Sequence, residues 1–476
     1  MAHSKESGGG GHRPHSMLEE GRDPLFRFIE RHGRRESFDG GKIHAGRWGD
    51  HRVPERGGRV LCHAEYNEAA KERQSISDGC IHRRGGYHSA GGFMHAITRR
   101  HFVGTLGATA GLGCLPYTPV FANTPIQADR VVHLAGDGLG LSPREYAALL
   151  NRLCQGKDVA EDNYLLGGEV EQFERHWAQL LGKETAVFVP SGTLANQLAL
   201  RALAGQKKRV IVPEMSHIYN DTGDACQTLS ALTLMPLAPG RATFTKADVE
   251  AVLTRTASGR VATEVGAIAI ESPIRRLSGQ MFDWNEAMAI SALARDRGIG
   301  MHLDGARLFM ASAYTGISPA EYSAHFDTVY VSLWKYFNSG IGAILAGPKR
   351  VLDGMFHVRR MFGGNLAVGW NAALVARHYM DGFEGRLKTA VQTSEAFYSA
   401  MAKHPRMGIE RIPNGTNLTR VTFKGVAPAD VARRLADRGV VMPATPSAST
   451  LTFGVNETWG RMAAPELVRV FEIALS

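Results

Sequence analysis

The sequence predicts an α/β fold with a mostly parallel central sheet and a smaller C-terminal α+β domain. From about residue 123 onward, short apolar runs alternate with helical patterns, and the runs are continuously apolar. Strands of this kind are typical of parallel sheets that are covered by helices on both faces. After about residue 385 the pattern changes to a different set of short strands and helices, which indicates the second, smaller domain.

Each predicted strand of the central sheet is a short apolar segment. These segments are Ala186–Pro190, Arg209–Pro213, Thr233–Leu237, Gly266–Glu271, Gly300–Asp304, Thr328–Ser332 and Ala343–Gly347. Helices are predicted at Thr193–Ala204 and Trp284–Arg297. The C-terminal region is predicted to contain strands Thr419–Phe423 and Ser449–Phe453, a helix at Pro428–Arg438 and a last helix from Pro465.

Composition and charge exclude several classes of protein. With 476 residues, 44% hydrophobic and 21% charged, the chain is neither fibrous nor wholly disordered. Residues 1–122 hold 18 Lys and Arg against 13 Asp and Glu, so +5 of the formal net charge of +9 lies there. The remainder shows no basic stripe with interleaved aromatic residues, which argues against a nucleic-acid partner.

The first 122 residues differ from the rest of the chain. Residues 1–93 are rich in Gly, His and Arg without helical or strand periodicity, and we expect a disordered extension or an upstream stretch preceding a true start at Met94. Residues 94–122 contain Arg99-Arg100, a mildly apolar run and a small residue at Ala122. This pattern is typical of a twin-arginine export signal, with a short buried helix as the alternative.

The signal predicts a periplasmic or exported protein, or a cytoplasmic one if the signal is not used. Because the apolar run is short and broken by Gly and Pro, no stable membrane association is expected. The predicted organisation is an extension at 1–93, a signal at 94–122, a large domain at 123–384 and a small one at 385–476. Of the five cysteines, Cys154 and Cys226 follow the signal, and no ligand cluster predicts a metal site.

Two strand ends carry residues with complementary chemistry. Asp304 ends one apolar run, and Lys335 follows the next run and precedes a glycine-rich turn. A lysine that is desolvated at a sheet edge has a lowered pKa and acts as a nucleophile. Pyridoxal phosphate (PLP) needs such a lysine to hold its aldehyde and an aspartate to keep its ring nitrogen protonated. The pair therefore predicts PLP as cofactor.

Two further segments fit the same cofactor. Ser191-Gly192-Thr193 is a turn between a strand and a helix, where free N–H groups and the Thr193 hydroxyl can bind phosphate. His217 follows the next strand, where an imidazole can stack on a pyridine ring. Taken alone, the first is a common helix cap and the second a surface histidine.

Four blocks together resemble the PLP enzymes of fold type I that include threonine aldolases and aromatic amino acid β-eliminating lyases. They are Phe188-Val-Pro-Ser-Gly-Thr-Leu-Ala-Asn-Gln, Ser216-His-Ile-Tyr, His302-Leu-Asp-Gly-Ala-Arg-Leu-Phe and Ser332-Leu-Trp-Lys-Tyr-Phe-Asn. The resemblance extends from about Gly136 to the C-terminus. It implies a lyase acting on amino acids, assembled as a homodimer or homotetramer with Tyr164 and Gly167-Gly168-Glu169 near the interface.

The resemblance also assigns roles. The implied catalytic residues are Lys335, His217 and Asp304. The implied cofactor-binding residues are Ser191, Gly192, Thr193, His217, Asp304, Arg307 and Lys335, and the implied substrate-binding residues are Asp137, Arg307 and Arg276.

The expected reaction is aldol cleavage of a β-hydroxy-α-amino acid, of the threonine or phenylserine type, to glycine and an aldehyde. The alternatives are β-elimination with release of ammonia and a keto acid, an aminotransferase, or a non-catalytic protein of the same fold. Ile274 and Phe453 stand where the family has histidines, and two arginines of the family pattern are replaced by Ser449 and Ala367. These exchanges favour a bulkier, more apolar substrate than threonine.

Overall fold

The computed structural model describes residues 130–155, 158–443 and 449–476. Seven strands of these residues form the central sheet: β2 Thr185–Val189, β3 Arg209–Pro213, β4 Thr233–Leu237, β5 Val265–Glu271, β6 Gly300–Asp304, β7 Thr328–Ser332 and β8 Ala343–Gly347. Their order across the sheet is β2-β8-β7-β6-β5-β3-β4. Strands β7, β6, β5, β3 and β4 are parallel, and β8 is antiparallel to both of its neighbours.

The predicted α/β fold with a mostly parallel sheet is confirmed. Each predicted central strand begins and ends within one residue of an observed one. Every residue of β5, β7 and β8 is buried, as expected for strands covered on both faces. The edge strand β4 is only partly buried and contains Pro236, which a central strand does not tolerate because proline lacks an N–H group.

Helices pack around this sheet and connect its strands. The helices are α1 Pro143–Cys154, α2 Gly168–Leu180, α3 Gly192–Ala204, α4 His217–Asn220, α5 Ala225–Ser230, α6 Lys246–Ala257, α7 Trp284–Asp296, α8 Leu308–Thr315, α9 Pro319–Ser323, α10 Leu333–Tyr336, α11 Lys349–Leu352, α12 Met355–Met361, α13 Trp370–Met380, α14 Phe383–Met401, α15 Pro428–Ala436 and α16 Ala464–Leu475. Short 3₁₀ turns lie at Arg275–Leu277 and Glu457–Arg461. None of the described helices has the length and apolar character needed to cross a membrane.

The C-terminal elements form a second layer with its own core. Strands β9 Met407–Arg411, β10 Leu418–Phe423 and β12 Thr450–Gly454 make an antiparallel sheet in the order β12-β10-β9. A parallel pair joins β1 Val132–His133 to β11 Val440–Val441, so the first described strand packs with the last part of the chain. Residues such as Phe397, Phe453, Trp459 and Phe471 fill this core.

The described residues lie within one compact unit. The division into a large domain at 123–384 and a small one at 385–476 stays a prediction, and α14 crosses that boundary. The extension at 1–93 and the signal at 94–122 lie outside the described residues.

Candidate active site

Three neighbouring strands bring polar side chains to one edge of the central sheet. Glu271 of β5 lies opposite Asp304 of β6, and Asp304 lies opposite Tyr330 of β7. All three residues are buried. Because these strands are parallel, their carboxyl ends meet at the edge where ligands bind in sheets of this class.

Asp304 is fixed by neighbours on two elements. Its Oδ2 accepts a hydrogen bond of 2.7 Å from Nδ2 of Asn196 on α3, and its Oδ1 accepts one of 3.2 Å from the backbone N–H of Ala306. Asn196 Oδ1 lies 2.8 Å from Nε2 of His302, whose Nδ1 lies 2.9 Å from the Thr328 hydroxyl. A continuous hydrogen-bond chain therefore supports the carboxylate from within the protein.

His302 is an uncharged member of this chain at neutral pH. Burial lowers the pKa of His302 to about 4, against a smaller opposing effect of the Asp304 carboxylate. Removing an imidazolium from water is unfavourable, so the neutral ring prevails in a buried position.

Lys335 lies in the short helix α10, directly after β7. Burial and the nearby Arg307 guanidinium lower the pKa of Lys335, while the Asp304, Asp137 and Glu271 carboxylates act in the opposite direction. Its Nζ lies 5.6 Å from the centre of the half-exposed Trp334 ring. The amine is therefore a partly desolvated group near the carboxylates, as a nucleophilic lysine requires.

The amino end of α3 forms a turn with little space around its backbone. Ser191 caps the helix by accepting a hydrogen bond from Leu194 N–H, whereas the N–H groups of the first helical residues Gly192 and Thr193 have no partner within the helix. A Cβ atom on Gly192 would overlap the Tyr330 hydroxyl group. Glycine is therefore required for the close approach of this turn to β7.

His217 lies at the start of α4, next to that turn. Its Nε2 lies 3.5 Å from the Thr193 hydroxyl, and its Nδ1 lies 3.5 Å from Asp221 Oδ2. The backbone N–H of His217 donates a 2.5 Å hydrogen bond to Glu271 Oε2. Thr193 and Asp221 thus contact the imidazole, while Glu271 holds the backbone of the same residue.

Glu271 is a buried carboxyl group that binds the backbone of two chain segments, one after β3 and one after β5. It accepts hydrogen bonds from the backbone N–H groups of His217 and Arg275. Burial and the neighbouring Asp304 raise the pKa of Glu271 to about 8, although these hydrogen bonds favour the ionised form. Glu271 therefore keeps its proton to a higher pH than an ordinary glutamate.

Arg307 and Asp137 form a two-point ion pair. Nε and Nη2 of Arg307 donate to Oδ1 and Oδ2 of Asp137 at 2.9 and 2.8 Å. Both residues were predicted to contact the substrate, and the structure brings them together at the site. The guanidinium edge that suits a bidentate carboxylate is occupied by Asp137.

Arg276 is connected to the site through its ion pair with Asp221. Its Nη1 donates to Asp221 Oδ1 at 3.0 Å, and Arg275 pairs with the other oxygen of the same carboxylate. Asp221 in turn faces His217. Direct substrate binding by Arg276 stays a prediction.

The predicted preference for a bulkier, more apolar substrate rested on Ile274 and Phe453. The Phe453 ring packs against Phe423 and Phe471 in the C-terminal core. Ile274 is fully buried as well. The histidine-to-apolar exchanges therefore carry no argument for a bulky substrate.

Sequence reasoning did not assign roles to Asn196, His302, Glu271 or Thr328. One signal was available for His302, because residues i and i+2 of a strand face the same side and Asp304 is two positions later. The contact made by Asn196 depends on how α3 packs on the sheet, which the sequence pattern does not encode.

The sequence profile of beta-eliminating lyases matches residues 147–427, more than half of the chain. The chain belongs to the beta-eliminating lyase family. Its similarity to a low-specificity L-threonine aldolase of Candida albicans is 30% identity over 213 residues, 44% of this chain and 56% of that protein. An alanine racemase of Cochliobolus carbonum is 28% identical over 256 residues, 52% of this chain and 63% of its own length. The chain thus spans less than two thirds of either relative.

A crystal structure from Listeria monocytogenes, provisionally named an L-allo-threonine aldolase, is similar over a longer span. It has a TM-score of 0.61 and 28% sequence identity, covering 73% of this chain and 97% of that one. A Leishmania major threonine aldolase structure shares the fold, with a TM-score of 0.54 and 17% identity.

The residues of this beta-eliminating lyase family member fit PLP. The free N–H groups at the start of α3 suit a phosphate, and the turn leaves no space for a Cβ atom at Gly192. Asp304 presents a buried acceptor for a ring N–H group, and Lys335 presents an amine with a lowered pKa. Among the described residues, no cluster of three or more His, Cys, Asp or Glu could hold a metal ion.

Proposed function

We propose that this chain is a PLP-dependent lyase that cleaves a β-hydroxy-α-amino acid to glycine and an aldehyde. The observation that carries the proposal is the placement of Lys335, Asp304 and the start of α3 at one edge of the sheet in a beta-eliminating lyase family member. Similarity to the Candida albicans threonine aldolase favours carbon–carbon cleavage among the reactions of such a site.

When bound, PLP supplies an electron sink that stabilises negative charge at Cα. The protein contributes the surrounding groups. The first N–H groups of α3 would bind the phosphate, and Asp304 would accept a hydrogen bond from the ring nitrogen. Lys335 supplies the amine that holds the cofactor, since burial leaves more of it unprotonated at neutral pH.

Arg307 and His217 complete the proposed chemistry. We assign the substrate carboxylate to the Nη1 side of the planar Arg307 guanidinium, because Asp137 occupies the Nε–Nη2 edge. We assign transfer of the β-hydroxyl proton to His217, which lies beside Thr193 and is held by Glu271 and Asp221.

The test is a product assay on the full chain loaded with PLP. L-threonine, L-allo-threonine and phenylserine are supplied separately, and aldehyde, glycine, ammonia and keto acid are all measured. Aldehyde and glycine in equal amounts are the expected result. Ammonia and keto acid without aldehyde would replace the proposal with β-elimination, the reaction for which the family is named.

Racemisation is a second candidate, favoured by the similarity to the Cochliobolus carbonum alanine racemase. Both reactions need the same lysine, aspartate and phosphate site, so these residues do not separate them. Conversion of L-alanine to D-alanine without release of aldehyde from any hydroxy amino acid would favour the racemase.

We further propose that the protein is a homo-oligomer. Tyr164, Leu166, Met361 and Val368 each expose at least 44% of their surface. Two contacts bring the segment around Tyr164 next to the segment that contains Met361 and Val368. Tyr164 N–H donates to Ala367 O, and the Arg360 guanidinium lies 5.4 Å from the Tyr164 ring centre. An apolar surface of this kind is typical of an interface. Light scattering after gel filtration measures the assembly, and a monomeric mass would contradict it.

We also propose export through the twin-arginine route, on the pattern around Arg99-Arg100. Changing both arginines to lysine in a bacterial host that has this pathway is expected to retain the protein in the cytoplasm. Equal fractions of wild type and variant outside the cytoplasm would contradict the proposal.

A further inference from the structure

The hydrogen-bond chain behind Asp304 has a defined direction. An amide oxygen only accepts and an amide N–H₂ group only donates. Since Asn196 Nδ2 donates to the Asp304 carboxylate, Asn196 Oδ1 faces His302 Nε2 and must accept a hydrogen bond from it. His302 therefore carries its proton on Nε2, and the Thr328 hydroxyl donates to Nδ1.

Reversing every donor and acceptor in this hydrogen-bond chain would change the protonation of Asp304. A proton on His302 Nδ1 would leave Nε2 as an acceptor, so the Asn196 amide would have to turn its N–H₂ group toward the histidine. Its oxygen would then face Asp304, and only a protonated carboxyl group could donate to it. The tautomer of His302, the orientation of Asn196 and the protonation of Asp304 are thus linked.

Burial makes this linkage effective. His302, Asn196 and Asp304 expose 0%, 1% and 1% of their surfaces. Water cannot replace a lost hydrogen bond at such positions, so an unpaired group carries its full desolvation penalty. The other titratable groups acting on Asp304 come from the surrounding elements: Glu271 on β5, Tyr330 on β7 and Lys335 on α10.

We propose that Asn196 and His302 are positioning residues that hold Asp304 as an unprotonated hydrogen-bond acceptor for the ring nitrogen of the cofactor. Neither touches the reacting atoms; they act through the Asp304 carboxylate. This inference rests on the proposed function, because it assumes that PLP is the ligand.

The experiment measures PLP affinity and the absorption spectrum of bound PLP between pH 5 and 9, without substrate. Asn196→Leu removes the amide, and His302→Phe removes the donor to it. His302→Gln keeps an N–H donor at the end of a shorter side chain. The matched control is Ser291→Ala, which deletes a buried hydroxyl that donates to His325 O at the opposite end of the strands.

Asn196→Leu and His302→Phe are expected to weaken PLP binding by about tenfold or more, the effect of losing one buried hydrogen bond to a charged group. We expect both to shift the pH at which the spectrum of bound PLP changes by about one unit or more. His302→Gln should lie closer to wild type than His302→Phe, and Ser291→Ala should leave the spectrum unchanged.

A wild-type affinity and pH profile in both Asn196→Leu and His302→Phe would overturn the inference, leaving the network a structural role only. If Asn196→Leu does not fold, the comparison of His302→Phe with His302→Gln decides. Wild-type protein that binds PLP but forms no aldehyde would refute the aldolase and leave this inference standing. Wild-type protein that does not bind PLP would refute both.

Discussion

Arg307 holds Asp137 in a two-point ion pair across 170 residues of sequence, and the two side chains are only 15% and 19% exposed. Removing one partner of such a pair leaves a charge with little access to water. Asp137→Asn is therefore expected to lower the free energy of unfolding by about 1–3 kcal/mol, somewhat less than for a fully buried pair. Denaturant unfolding of the apoprotein measures the change.

The matched control for this pair is Asp430→Asn, which breaks the exposed Arg433–Asp430 pair on α15. Exposed pairs contribute about 0–1 kcal/mol, so the control should be nearly neutral. Equal effects of the two variants would show that the Arg307–Asp137 pair adds no stability of its own.

Gly192 is expected to tolerate no larger residue. In Gly192→Ala the new Cβ would meet the buried Tyr330 ring, which forces α3 away from β7 and disturbs the predicted phosphate site. We expect a loss of about 1–3 kcal/mol in unfolding free energy, as for other overpacked sites, together with weaker PLP binding. Thermal unfolding and PLP titration measure both effects.

Gly385→Ala is the control for Gly192→Ala, since a Cβ at Gly385 of α14 meets no atom within 4 Å. Alanine is favoured over glycine within a helix, so this variant should be neutral or slightly stabilising. A Gly192→Ala protein that resembles Gly385→Ala in both measurements would contradict the proposed role of the turn.

The fold was more predictable from the sequence than the site. Continuous apolar runs such as Thr328–Ser332 have to be buried on both faces, so β7 and its neighbours could be placed to within a residue. The Arg307–Asp137 pair and the Asn196–Asp304 hydrogen bond depend on distant segments meeting in space, and no local pattern encodes them. At Phe453 the local pattern was the better guide: Leu451 and Phe453 alternate with threonines, which predicts a half-buried strand, and the structure has that strand.

His302 is expected to make the protein acid-sensitive. Its pKa is lowered by burial to about 4, whereas an unfolded chain has the ordinary value of 6.5. Below pH 6.5 the unfolded state binds a proton that the folded state does not, so stability falls as pH decreases from 6.5 towards 4. The expected contribution is about 3 kcal/mol, measured by denaturant unfolding of the apoprotein at several pH values.

The variant that tests this acid sensitivity is His302→Gln. Its side chain does not titrate, so it should lose less stability between pH 6.5 and 4 than wild type. His176→Gln serves as control because His176 is exposed. If wild type and His302→Gln lose stability in parallel, the acid sensitivity has another source.

Glu271 is expected to make the folded protein less stable as pH rises, whereas His302 makes it less stable as pH falls. Burial and the adjacent Asp304 raise its pKa from 4.5 to about 8, so the folded state binds a proton that the unfolded state has already lost. The contribution of this group is complete below pH 4.5 and disappears as pH rises through about 8. Since one pKa unit corresponds to about 1.4 kcal/mol, we expect a loss of about 5 kcal/mol in unfolding free energy across this range in the apoprotein.

Glu271→Gln should flatten this decline, because its amide does not titrate. Glu250→Gln provides the comparison, since Glu250 is half exposed in an ion pair with Lys246. A wild-type decline that persists in Glu271→Gln would assign the alkaline sensitivity to other groups.

Lys335 is expected to be the covalent attachment point of PLP. Borohydride reduction of the loaded wild type should fix the cofactor to the peptide that contains Lys335, as mass spectrometry would show. Lys335→Ala should retain no cofactor after reduction and lose about 10³-fold or more in kcat, the effect of deleting a nucleophile. Lys207→Ala, which removes a lysine paired with Glu264 at 3.8 Å, should behave like wild type in both assays. Fixation of the cofactor at any other lysine would refute the assignment, because the lowered pKa of Lys335 would then serve no covalent role.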